Sequence, residues 1–228
     1  MSRTVYISMG YDCSPALALR ELGLRTHAYP FDWVQVFVCQ IIECINDDFK
    51  HYMTNLSIKD HLPQNSQRMI NYYGIEFPHD LPTTINSTGY IGEGLINEDK
   101  GSRIVSNWKD YIDIVIQKYN RRVERLKSVL KGNAPVVFVY RGQYARFLLK
   151  TIRKSYPQLK CVFVAATPDS VESPDIFTCY PEINGKWNDS DIWKSAILKA
   201  TSYLETLNNI PNNSHQNTTP YSIFKRKF

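Results

Sequence analysis

Polar and apolar positions alternate over residues 4–9, Thr-Val-Tyr-Ile-Ser-Met, and Gly10 follows them. That pattern predicts a short strand closed by a turn. Ser14 is a suitable N-cap and Pro15 suits the first helical position, so a helix is expected over 16–22, stopping at Gly23. Residues 34–45 are nearly all apolar and predict a buried helix. Between 50 and 105, glycines and prolines interrupt the pattern, and only loops with a few short strands or turns are expected. Periodicity returns at 106: Trp108, Tyr111, Val115, Tyr119, Val123, Leu126 and Leu130 recur every three or four residues, an amphipathic helix ending near Gly132. An apolar run at 134–140, a helical pattern through Tyr144, Phe147, Leu148 and Ile152, and a second apolar run at 161–165 form a βαβ unit with short connections. A strand at 175–179 and a helix from about 189 to 207 complete the series.

Strands alternating with helices predict an α/β fold: a mostly parallel sheet with flanking helices and an irregular insertion around 50–105. Residues 1–208 are expected to form one α/β domain. Residues 209–228, rich in asparagine and ending Phe-Lys-Arg-Lys-Phe, read as a flexible polar tail with a basic end. In parallel sheets, chemistry gathers beyond the carboxyl ends of the strands. Residues 10–14, 141–144 and 167–169 would meet there.

Composition narrows the function classes. The 228 residues hold no apolar run of membrane-spanning length and no basic-then-apolar leader at the start, so neither membrane nor secretion is expected. Five widely spaced cysteines, an odd number with no C-x-x-C pair, argue against a disulfide framework or a zinc site. A reducing, cytoplasmic location and no cofactor are the expectation. The net charge of +5 is dispersed over helical faces, which does not point to nucleic acid as a partner.

Cys13 is the sharpest chemical feature. It follows a strand and lies within a residue or two of a helix N-terminus, where unpaired N–H groups favour a thiolate. Its plain structural role would be a small filler under a turn. Cys39, Cys44, Cys161 and Cys179 lie in apolar runs and read as packing. Among the histidines, His79 stands in Phe77-Pro78-His79-Asp80, where proline fixes the turn and an acid is adjacent; a surface-loop histidine is the bland alternative. Asp32, in Pro30-Phe31-Asp32-Trp33, sits among bulky rings and needs a partner. It would orient a catalytic imidazole, bond Arg25, or cap the following helix. Arg141 ends a buried strand and would either clamp an anion or pair with an acid. No nucleophile elbow, phosphate loop, metalloprotease helix or dinucleotide fingerprint is present.

Ser8-Met-Gly10-Tyr-Asp-Cys13 with Ala16 and Leu19, Gly23-Leu-Arg25, Pro30-Phe-Asp-Trp33, Phe77-Pro-His-Asp80 and Trp187 with Trp193 resemble an uncharacterised family of papain-like cysteine peptidases of bacteria and large DNA viruses. The resemblance runs from about residue 5 to 200. It implies Cys13 as nucleophile and His79 as base, with Asp32 or Asp80 as third member. Gly10, Trp33 and Arg141 would line the substrate site, and the substrate would be a peptide or other acyl compound. If the chain is viral, the compartment would be host cytoplasm or virion. The resemblance also implies an alternative fold, a papain-like α+β arrangement. Two other functions stay open: a transferase holding an anionic ligand through Arg141, and a non-catalytic binding or virion protein.

Overall fold

The computed structural model describes residues 3–62, 65–84, 103–167, 173–180 and 190–209. The chain opens with β1 (Val5–Ser8), α1 (Ser14–Glu21) and α2 (Val38–Asn46). The short strands β2 (Ser57–His61), β3 (Ser66–Ile70) and β4 (Glu76–Phe77) follow. A 3-10 turn at Trp108–Tyr111 leads into α3 (Ile112–Leu130), then β5 (Val136–Arg141), α4 (Ala145–Ser155), β6 (Cys161–Ala166), β7 (Ile176–Cys179) and α5 (Ser190–Asn209).

Four strands make a parallel sheet in the order β1-β5-β6-β7. Both of its faces are covered. Val136, Phe138, Tyr140 and Phe163 pack with residues of α2, α3 and α4. Val137, Val139, Val162 and Val164 pack with Ala18 and Leu19 of α1 and Trp193, Ile197 and Leu204 of α5. Strands buried on two sides have no solvent face to mark, which is why β5 and β6 read as continuous apolar runs. The α/β expectation therefore holds, and papain's arrangement of a helical half against an antiparallel barrel-like half is not what the described residues form.

The insertion carries more order than the glycine and proline pattern suggested. β2, β3 and β4 form an antiparallel sheet, with Ser57 opposite Ile70, His61 opposite Ser66, and Met69 opposite Phe77. β2 has mostly solvated side chains, so it shows little of the alternation that marks a half-buried strand. α2 starts later than the apolar run. Gln35 exchanges backbone hydrogen bonds with Glu76, and the Val36 N–H donates to the Tyr11 carbonyl at 3.2 Å. Those ties hold 35–36 extended, so the helix begins at Val38. The tail from 210 and the glycine-rich 89–94 stretch lie outside the described residues, as do 168–169 and Trp187. Among the described residues, no helix is long and apolar enough to cross a membrane.

Candidate active site

β1 delivers the chain to the carboxyl edge of the sheet, and Gly10 turns it there. Gly10 has φ +77°, and a Cβ at this position would lie 2.4 Å from Val36 Cγ1. Only glycine fits such a left-handed close approach. Tyr11 is also left-handed, at φ +80°. Cys13 then caps α1, its carbonyl accepting the Leu17 N–H at 2.9 Å. Its half-buried side chain packs against Ala16, Leu17 and Trp33. Cys13 therefore stands at the positive end of α1.

Asp12 holds the turn from both sides. Its Oδ1 accepts from the Ser14 N–H at 2.8 Å and the Ser14 hydroxyl at 2.6 Å, an Asx turn at the start of the helix. Its Oδ2 receives Arg141 Nη1 at 2.8 Å. Arg141, the last residue of β5, also donates its N–H to the Gly10 carbonyl at 3.3 Å. The guanidinium therefore meets a carboxylate of the Cys13 turn.

The imidazole arrives from the insertion. His79 lies just past β4, and its Nε2 is 3.5 Å from Cys13 Sγ across 66 positions of sequence. Both residues are partly buried. Asp80 is 3 % exposed, and its oxygens accept from Lys118 and, at 2.9 Å, from the Tyr119 hydroxyl, both on α3. Arg122 lies 5.0 Å from the Tyr119 ring centre. Burial pushes the Tyr119 phenol well above its ordinary pKa, and the nearby Asp80 charge adds to that. Asp80 thus anchors the histidine loop to α3.

Asp32 is buried and accepts from Arg25 Nε at 3.0 Å and the Tyr29 N–H at 3.1 Å. Burial raises its carboxyl pKa, with Arg25 and the Tyr29 hydrogen bond pulling the other way. Trp33 takes a left-handed conformation at φ +63°, with the Arg20 and Arg25 guanidinium carbons 5.1 and 5.9 Å from its ring centre. The structure therefore brings together Cys13 and His79, packs Trp33 against Cys13, ties Asp12 of the same turn to Arg141, and engages Asp32 and Asp80 with cations.

Two supporting features escaped the sequence reading. Lys118 and Arg122 are buried cations on the inward side of α3. The signal was there: Arg122 falls in step with Val115, Tyr119 and Leu126, a slot where a charge demands a buried acid. Asp12 carried a weaker one, the Asp-x-Ser spacing of an Asx turn. Among the described residues, no group of three or more His, Cys, Asp or Glu could hold a metal ion.

Residues 4–147 match the model of a family described as putative papain-like cysteine peptidase (DUF1796). The matched segment contains Gly10, Cys13, Asp32, Trp33, His79, Asp80 and Arg141. An uncharacterized protein of Acanthamoeba polyphaga mimivirus is 27% identical, over 60% of this chain and 60% of that protein. The chain thus spans about 60% of the length of the curated relative it matches. No solved structure matches.

Proposed function

The chain belongs to the DUF1796 family of putative papain-like cysteine peptidases, and from that premise we propose that it is a thiol acyl hydrolase acting through Cys13 and His79. The observation that carries the reading is the 3.5 Å approach of Cys13 Sγ to His79 Nε2 at a helix N-terminus. A nucleophile within reach of its base is the signature of covalent catalysis, and such pairs recur on unrelated scaffolds. The parallel sheet is therefore no obstacle.

In the first half-reaction the Cys13 thiolate forms a bond to the substrate carbonyl carbon. The tetrahedral oxyanion is held by backbone N–H groups of the 10–14 turn and the start of α1. The carbon–nitrogen bond then breaks as His79 passes its proton to the leaving amine. In the second, water gives a proton to His79 and attacks the thioester, releasing the acid and regenerating the thiolate. Asp80 acts on His79 through the loop it anchors, and Arg141 acts on Cys13 through Asp12.

The test is iodoacetamide alkylation of the folded chain against pH, read cysteine by cysteine. Burial pushes the thiol of Cys161 up to about 11 and that of Cys179 up to about 12, and raises Cys44 further. Labelling therefore reports on Cys13 and the exposed Cys39. Cys13 should react with an apparent pKa well below the free value of about 8.5, and His79→Ala should raise that value. If Cys13 reacts no faster than Cys39 in the intact chain, the nucleophile assignment fails.

A further inference from the structure

Beyond the carboxyl ends of β1, β5 and β6 lies an open cleft of about 530 Å³ whose walls do not include Cys13 or His79. Its walls are aromatic: Tyr11, Phe37, Tyr140 and Tyr144 line it, with Arg141 and Gly142 at the strand end. Phe37 and Tyr144 are 47 % and 55 % exposed, large apolar surface left uncovered at one place. Tyr11 and Phe37 meet edge to face at 5.8 Å, and the Tyr144 ring lies 6.0 Å from that of Phe147. Tyr144 is left-handed at φ +71°, a strained conformation for a residue of its bulk, and it holds its ring at the cleft.

Tyr140 supplies the polar element. It is only 2 % exposed, yet its hydroxyl has no hydrogen-bond partner among the described residues. A Cβ on Gly142 would stand 3.0 Å from that hydroxyl, so the glycine keeps the space beside it open. The hydroxyl opens onto the cleft, where it can donate to a group that enters. Aromatic walls beside a phenol donor fit a ligand that brings both a large apolar group and a carbonyl.

The cleft shares residues with the nucleophile's turn. Tyr11 is two positions from Cys13, and Arg141 both lines the cleft and holds Asp12. We infer that this cleft is the substrate side-chain subsite, taking a large aromatic or apolar residue of a peptide-like acyl donor whose amide carbonyl accepts from the Tyr140 hydroxyl. The assignment of the subsite to an acyl donor rests on the proposed thiol chemistry. A peptide residue fits better than a bare alkyl chain, because the chain offers nothing to the phenol.

The experiment compares N-acetyl-phenylalanyl and N-acetyl-glycyl chloromethyl ketones as alkylators of Cys13 in the full chain. The phenylalanyl probe should react faster by about tenfold or more, as burying a ring in an apolar pocket implies. Tyr140→Phe and Tyr144→Ala should each cut that preference about fivefold, on the order of one hydrogen bond or one packing wall. Equal rates for the two probes with an iodoacetamide-reactive Cys13 would overturn the subsite and leave the nucleophile standing. So would a stronger preference for a hexanoyl chloromethyl ketone. If Cys13 is inert to all probes, the thiol reading fails, and the cleft is judged by NMR titration with N-acetyl-phenylalaninamide. Shifts at Tyr11, Phe37, Gly142 and Tyr144, absent with N-acetyl-glycinamide, would sustain the pocket; no shifts, or the same shifts with both, would end it.

Discussion

Arg141 Nη1 stands 2.8 Å from Asp12 Oδ2, tying the end of β5 to the turn that presents Cys13. The two residues are 129 positions apart. Asp12 spends its other oxygen on Ser14, so one carboxylate sets the angle at which α1 leaves the sheet.

Breaking this tie should be felt at the thiol more than in the fold. Both side chains are partly solvated, so Arg141→Met should cost only about 1 kcal/mol of stability. The same change should slow Cys13 alkylation several-fold and raise its apparent pKa, while Cys39 labels as before. A unit rise corresponds to about 1.4 kcal/mol of lost thiolate preference. An unchanged pH profile would reduce Arg141 to a structural residue.

The Asp80–Lys118 pair is buried and should behave differently. Removing one partner strands a charge away from water, so Lys118→Met should destabilise the protein by about 3–5 kcal/mol. Replacing both, as Asp80→Leu with Lys118→Met, should recover part of that loss. Urea unfolding of the two singles and the double decides the matter; a double that loses the sum of the two singles would argue against a coupled pair.

Acid should loosen the small sheet through Glu76. Burial opposes its ionisation, but Arg68 at 2.6 Å and Lys59 at 3.3 Å outweigh that and hold its pKa below the ordinary value. A carboxylate with a lowered folded pKa contributes stability above its unfolded pKa of about 4.3 and loses it as pH falls through the folded value. The stability gap between the native chain and Glu76→Gln should therefore shrink from pH 6 to pH 3. Parallel curves over that range would remove Glu76 as the cause.

Gly10 offers a test of the backbone. Gly10→Ala puts a methyl 2.4 Å from Val36 Cγ1 at a positive φ, and should cost about 2 kcal/mol or more. Adding Val36→Ala relieves the contact and leaves the conformational strain, so a double-mutant cycle should return part of the loss. Strict additivity of the two changes would mean that the contact does not matter.

Much of this architecture is legible in one dimension. The β1–turn–α1 opening shows in Gly10, Ser14 and Pro15, and the βαβ unit shows in two apolar runs around an amphipathic helix. These signals are local: each depends on residues a few positions apart, where propensity and periodicity act. The antiparallel sheet at 57–77 was harder to read because its outer strand is solvated and its middle strand buries Arg68.

The same division runs through the site. The sequence by itself determined that a cysteine would stand at a helix start beyond a strand, and that a proline-fixed turn would present a histidine beside an acid. Tertiary structure alone decided that those two meet, that Asp80 turns to Lys118 and Tyr119, and that Asp12 holds Arg141. The physical reason is reach. Local patterns specify the backbone over one or two turns, whereas contacts 38 to 129 residues apart form only when the packed sheet and α3 bring their side chains together.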